Sequence, residues 1–187
     1  MLQQSSHRHV DRGLDAYFTP EAATLSLLAL EYLPASIWEP ACGDGAISRV
    51  LIAHGHDVVS SDIGDYQYGE SGTDYLKAPP RDIGGIVTNP PFKLASRFAQ
   101  KALSEVRYVA LLLRTNFLEA IPRLPFFRTS PPSRIWISSR RLPMMHRHDW
   151  TGPRAGSNTC HAWFIWDRTS PDRRILNWFD WREHSPN

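Results

Sequence analysis

Cysteine is scarce in this 187-residue sequence: Cys42 and Cys160 allow at most one disulfide. That excludes a small fold stapled by disulfides and makes a reducing cytoplasm the expected setting. Long apolar runs are missing as well, so no segment is expected to span a bilayer, and the polar start from Met1 to Arg12 has no signal-peptide core. An excess of charge is also absent. The formal net charge of +2 is too small to demand a polyanionic partner. No internal repeat is present, which excludes solenoids and propellers. His146, His148, Cys160 and His161 do not have the spacing of a structural zinc site, and no metal is expected.

What remains is the composition of a soluble globular protein, 42% hydrophobic and 21% charged, long enough for one well-buried core but not for two ordinary domains. Residues 1–14 read as a mobile polar lead and residues 15–187 as one domain. Thr19 and Pro20 suit the N-cap and first position of a helix, with Leu27, Leu30, Tyr32 and Leu33 on its apolar face before Pro34 stops it. Runs at 36–38, 57–61, 83–88, 108–113, 134–138 and 161–166 read as strands, while 47–54 and 94–106 have helical spacing. Strands alternating with helices imply an α/β fold, a mostly parallel sheet covered on both faces. Residues 173–182, with Ile175, Trp178, Phe179 and Trp181, read as a terminal helix packed on the core or an aromatic cluster buried between two copies. A monomer or a homodimer is expected.

Charge is unevenly distributed. Between Arg134 and Arg154 there are five arginines against one acid, Asp149. This stretch is either a face that meets phosphates or a solvated arginine-rich loop, and charge alone does not separate the two.

Ligands of mostly parallel sheets sit at the carboxyl ends of the strands, and three loops of interest directly follow strands: 39–45, 61–63 and 89–92. In Glu39-Pro40-Ala41-Cys42-Gly43-Asp44-Gly45, two glycines one residue apart permit a tight turn and a close backbone approach to a ligand. A dinucleotide fold wants a third glycine at position 48, which is Ser48. Asp62 ends the next strand, where an acid accepts hydrogen bonds from a ribose hydroxyl. The ligand implied is a nucleoside without a phosphate chain, although ordinary turn glycines explain a Gly-x-Gly equally well. Cys42 has no evident histidine partner and reads as a small apolar filler.

Asn89-Pro90-Pro91-Phe92 is sharper. A turn after a buried strand needs only one proline or glycine. Two prolines remove two donors and hold the carbonyls rigid. An asparagine amide oxygen and a rigid carbonyl each accept one hydrogen of an aromatic amino group, and Phe92 offers a face for stacking.

These motifs resemble the amino-methyltransferases of DNA, in which Asn-Pro-Pro-Phe follows the fourth strand and Asp/Glu-Pro-x-x-Gly-x-Gly follows the first. Asp15-x-Tyr17-Phe18-Thr19-Pro20 resembles the family's N-terminal cofactor segment, and Asp74-Tyr75-Leu76 the acidic residue after its third strand that contacts the cofactor's adenine. The resemblance covers roughly residues 15–166. It implies a Rossmann-like seven-stranded sheet with an antiparallel last strand, filled by 161–166, and S-adenosylmethionine as cofactor. The implied cofactor residues are Tyr17, Thr19, Pro20, Glu39, Pro40, Ala41, Gly43, Gly45, Asp62, Ile63, Asp74, Tyr75 and Asn89. The implied reaction is methylation of the N6 amino group of adenine, with Asn89, Pro90, Pro91 and Phe92 as its catalytic motif and a base flipped into the pocket.

Family members often carry a separate recognition domain; none is expected here. Readout then falls to the segment 139–159, with Lys93, Arg140, Arg141, Arg147, Trp150 and Arg154 as nucleic-acid contacts. DNA is the expected partner, in a bacterial or phage-encoded cytoplasmic protein. Rival readings are an RNA adenine, a protein glutamine amide, and a cofactor-binding protein without turnover.

Overall fold

A computed structural model describes residues 19–144, 159–169 and 175–184. The 1–14 lead, Tyr17, Arg147, Trp150 and Arg154 lie outside the described residues. The first helix, α1 (Glu21–Leu30), packs Ala23 and Leu27 into the core. Strand β1 (Ser36–Glu39) begins two residues after Pro34 and buries Ile37 and Trp38 completely. Then come α2 (Ala46–Ala53), β2 (Asp57–Ser60), β3 (Gly85–Thr88), α3 (Ala95–Glu105), β4 (Tyr108–Arg114), α4 (Leu124–Thr129), β5 (Arg134–Ser138), β6 (His161–Asp167) and β7 (Ile175–Phe179).

The strands form one seven-stranded sheet in the order β2-β1-β3-β4-β6-β5-β7. Only β6 runs antiparallel to its neighbours, β4 and β5; the other pairs are parallel. β4 and β6 are the central strands, apolar almost throughout and buried on both faces. On one face α1 and α2 pack Leu27, Ile47 and Leu51 against Val87, Leu112 and Trp163. On the other, Phe98, Ala99 and Leu103 of α3 pack against Ile86, Val109 and Leu111, with Phe126 and Phe127 of α4 beside them. β1 has β2 on one side and β3 on the other. The chain therefore reverses its direction of travel across the sheet at β1, which opens a crevice at the carboxyl ends of β1 and β3.

At the opposite end of the sheet α1 is tied down by a buried ion-pair network. Glu31 accepts two hydrogen bonds from the Arg134 guanidinium (2.7 and 2.8 Å), one from Trp136 Nε1 (2.6 Å) and one from the Tyr108 hydroxyl (3.2 Å). Arg134 also donates to Asp167 (2.8 Å). Every polar group in this cluster is paired, as burial requires.

The α/β expectation and the antiparallel 161–166 strand are borne out. Four details differ. The first helix starts at Glu21 with Pro20 as its cap, and the Thr19 hydroxyl accepts from Asn89. Tyr32 falls beyond the helix end and is fully exposed, so it is not part of the apolar face. Residues 61–84 form no third strand comparable to that of the resembled family. Within them the one β-bridge is Ser61 to Glu70, and single hydrogen bonds fasten the segment to β1 and β2, from the Ser61 amide to the Glu39 carbonyl, the Glu70 amide to the Ser60 carbonyl and the Gly84 amide to the Ser36 carbonyl. Asn89 thus follows the third strand in chain order, not the fourth. Finally, the expected terminal helix is a strand: β7 pairs along the whole of β5 and buries only Phe179. The free edge of β5 offers a row of backbone partners that a helix could not satisfy.

Among the described residues no helix is long and apolar enough to cross a membrane, and no cluster of histidine, cysteine and acidic side chains is placed to hold a metal ion.

Candidate active site

The glycine loop turns sharply after β1. Gly43 and Gly45 both have positive φ, 52° and 83°, a conformation that side chains resist. At Gly45 the reason is also steric: a Cβ there would lie 2.3 Å from the Tyr68 ring. Gly45 caps α2, and its amide donates to the Cys42 carbonyl (2.8 Å). Ser48 stands where a dinucleotide loop would have its third glycine. Its backbone amide donates to Glu39 Oε2 (2.8 Å), its hydroxyl donates to the same oxygen, and its Oγ lies 2.6 Å from that of Ser60. Glu39 is thereby locked beneath the loop. Burial pushes its carboxyl well above the usual range, the Ser48 bonds pull the other way, and the charges of Asp44 and Asp62 push further up.

Asp62, just beyond β2, fastens this loop to the next. Its Oδ2 accepts from the Gly43 amide (2.9 Å) and its Oδ1 from the Gly64 amide (2.8 Å). Each oxygen retains a second lone pair that a ligand hydroxyl can use. Burial, Glu39 and Asp62 raise the Cys42 thiol to about 12. It is buried and protonated, a filler and not a nucleophile.

The third loop follows β3. Asn89 donates from its amide nitrogen to Thr19 Oγ1 (3.1 Å). The nitrogen end of the amide makes this bond. Pro90 is buried, and Phe92 opens a short helical turn, Phe92–Leu94, leading into α3. The Arg114 guanidinium lies 4.1 Å over the Phe92 ring. The His161 ring is 5.7 Å from it, tilted by 42°.

All three loops meet around one cavity of about 220 Å³. Its wall contains Thr19, Glu39, Pro40, Ala41, Gly43, Asp62, Ile63, Asp74, Tyr75, Asn89, Pro90 and Pro91. Each of these is a residue that the sequence motifs single out. Gly45 shapes the loop from behind. Two residues are partly committed elsewhere. Asp74 pairs with Lys77 (2.9 Å), which holds its carboxyl below the usual range. The Tyr75 hydroxyl donates to Glu105 (3.1 Å), so only its ring faces the cavity, packed against Trp38 and Phe98.

The wall also includes Asp44, Tyr66, Thr73, Leu94 and Phe98, which the sequence reading missed. Leu94 and Phe98 had a usable signal. They stand four apart on the turn and helix directly after Phe92, on one face. Lys93 is exposed beside the motif. Arg140 is engaged by Asp180 (2.9 Å), and the Arg141 carbonyl accepts from Trp181 Nε1 (3.1 Å), which ties the start of the 139–159 segment to the turn after β7.

The architecture matches solved methyltransferases. The chain superposes on the DrdV–DNA complex with a TM-score of 0.64, at 13% identity over 91% of this chain and 28% of that one. On a candidate RNA methyltransferase from Pyrococcus horikoshii the score is 0.63, at 12% identity over 89% and 92%. On the methyltransferase subunit of a type I restriction-modification system from Streptococcus thermophilus it is 0.62, at 10% identity over 86% and 47%. The fold is that of the Rossmann-like methyltransferases. The chain spans about half the length of the type I subunits it resembles. No protein-family model and no curated protein matches it.

Proposed function

We propose that this chain transfers a methyl group from S-adenosylmethionine to the N6 amino group of adenine in DNA. One observation carries the reading: Asn89-Pro90-Pro91 stands in the wall of the same cavity as the glycine loop and Asp62, with Thr19 holding the Asn89 amide.

The cavity suits the cofactor. Asp44, Asp62 and Asp74 line it, a set of carboxylates that favours a ligand carrying a sulfonium and an ammonium group. Asp62 would take the ribose hydroxyls, the glycine loop would lie along the amino-acid portion, and Ile63, Asp74 and the Tyr75 ring would flank the adenine. When bound, S-adenosylmethionine supplies an electrophilic methyl group.

The chain's own residues act on the acceptor. An adenine amino group is a poor nucleophile because its lone pair is delocalised into the ring. The Asn89 amide oxygen and the Pro90 carbonyl would each accept one of its hydrogens, drawing the lone pair back onto nitrogen and aiming it along the transfer line. Phe92 would stack on the flipped base. As the nitrogen–methyl bond forms and the sulfur–methyl bond breaks, the nitrogen releases one proton to solvent. Orientation contributes most, since effective molarities of about 10⁵ M or more are available from it.

Adenine is supported by the Asn89 and Phe92 pattern, and DNA by the fold shared with the DrdV–DNA complex. The strongest second reading is an RNA adenine, because the Pyrococcus protein is matched over 92% of its length. In either case Lys93, Arg141 and the 139–159 segment would supply phosphate contacts, with affinity dominated by charge neutralisation. Asn89→Ala tests the assignment: turnover should vanish while the fold persists and calorimetric cofactor affinity falls far less than turnover. A variant with near-normal turnover would remove Asn89 from the reaction.

A further inference from the structure

Between β2 and β3 the chain makes a short closed loop beside the cavity. The Glu70 amide donates to the Ser60 carbonyl (2.9 Å), the Asp62 amide to the Glu70 carbonyl (3.0 Å) and the Thr73 amide to the Asp62 carbonyl (2.9 Å). Residues 63–69 therefore leave and return at one point, just beyond β2. Gly69 makes the return possible: its φ is 67°, and a Cβ there would lie 2.6 Å from the Ser60 carbonyl oxygen. Arg81 clamps the base of the loop again, donating to both oxygens of Glu70 (3.0 and 2.5 Å) while its guanidinium lies 4.5 Å from the Trp38 ring.

Two tyrosines on this loop, two residues apart, have different surroundings. Tyr68 packs on the glycine loop. Its ring fills the space that a side chain on Gly45 would need, the Arg49 guanidinium lies 4.6 Å from its centroid, and its carbonyl accepts from the Cys42 thiol. Tyr66 instead stands in the cavity wall with Asp62, Ile63 and Thr73. It is half-buried, and burial first, then the charge of Asp62, raises its phenol above the ordinary range. Ile63, on the same loop, is 55% exposed. An aromatic and an apolar side chain, carried on a closed and clamped loop and left partly open at a cavity, are surface that a ligand would cover.

We propose that Tyr66 is a binding residue for the nucleoside half of the cofactor: its ring forms the side wall against which the ribose and adenine lie, while Tyr68 holds the loop on the fold. The proposal rests on the reading above, in which Asp62 takes the ribose hydroxyls and Ile63 flanks the adenine. It adds a contact from outside the sequence motifs, on the segment that stands where the resembled family has its third strand.

The test is calorimetric titration of the full chain in wild type, Tyr66→Ala and Tyr66→Phe. Two ligands are used: S-adenosylmethionine, and 5′-methylthioadenosine, which keeps the nucleoside and the sulfur but lacks the amino-acid portion. Tyr66→Ala should weaken both by the same factor, about tenfold, the scale of losing roughly 50 Å² of covered apolar surface. Tyr66→Phe keeps the ring and should stay within about twofold of wild type. Melting of the ligand-free chain separates binding from folding: Tyr68→Ala should lower the Tm, and Tyr66→Ala should leave it near wild type. The proposal is overturned if Tyr66→Ala keeps wild-type affinity for both ligands, or loses S-adenosylmethionine but not methylthioadenosine. It is equally overturned if the ligand-free Tm of Tyr66→Ala falls as far as that of Tyr68→Ala, or if Tyr66→Phe loses as much affinity as Tyr66→Ala. A wild-type chain that binds neither ligand would instead remove the reading on which the proposal stands.

Discussion

Thr19 Oγ1 accepts a hydrogen bond from Asn89 Nδ2 at 3.1 Å, joining the segment ahead of α1 to the loop after β3. It holds the nitrogen end of the amide, so that the oxygen end is the one offered to an incoming amine. Thr19→Val should therefore lower kcat by about tenfold, the value of one net hydrogen bond at a buried site, with cofactor affinity much less affected. Thr19→Ser should restore most of the rate. Steady-state kinetics on the two variants decide it, and wild-type kcat in Thr19→Val would show the bond to be incidental.

Asp62 holds the amides of Gly43 and Gly64, one on each carboxylate oxygen, and is assigned to the cofactor's ribose. Asp62→Ala should weaken cofactor binding by about 1.5–3 kcal/mol, the range for hydrogen bonds to a charged group. Asp62→Asn, with one acceptor oxygen left, should lose less. Calorimetric titration showing wild-type affinity in the alanine variant would take Asp62 out of the site.

Gly45 and Gly55 have nearly the same φ, 83° and 88°, but a Cβ at Gly45 would strike the Tyr68 ring and one at Gly55 would meet open space. Both alanine variants pay the left-handed backbone cost of about 1–2 kcal/mol. Only Gly45→Ala adds a clash, and its Tm should fall distinctly further. Equal losses would mean that Tyr68 moves aside and that the loop is more yielding than its packing indicates.

His161 supplies a pH dependence. Its folded-state value is lowered to about 4 from an ordinary 6.5, by burial and then by Arg114. The unfolded chain takes up a proton through 6.5 and the folded chain resists until about 4, so this residue's contribution is whole above pH 6.5 and is lost as pH falls through that window. The loss is about 3 kcal/mol, from about 1.36 kcal/mol per unit. Denaturant unfolding of His161→Gln between pH 7 and 4 should show a shallower decline than wild type. Superimposable curves would place His161 in a more solvated setting.

The parts of the fold that were legible are those governed by local chemistry. Apolar runs ending at Glu39 and Thr88 mark buried strands, and the glycines and prolines that follow them mark the loops at their carboxyl ends; both loops are where the pattern put them. Tertiary partners were not legible. Ile175, Trp178 and Phe179 have spacing that suits a helix, yet the open edge of β5 takes them as a strand and leaves Trp178 exposed. Arginine counting finds a basic stretch but cannot see Asp180, forty residues from Arg140 and bonded to it. Nor does any local signal bring Arg114 onto Phe92. That contact exists because β3 and β4 are neighbours in the sheet.

The most direct measurement of the central claim is the chemical identity of the product. The chain would be incubated with methyl-labelled S-adenosylmethionine and, separately, unmethylated duplex DNA, single-stranded DNA and RNA, and each nucleic acid digested to nucleosides for mass spectrometry. The account predicts labelled N6-methyladenosine from DNA, in its deoxy form, and none from the Asn89→Ala variant. Label in methylcytosine with none in methyladenine, or no label in any nucleic acid while the cofactor binds, would contradict it.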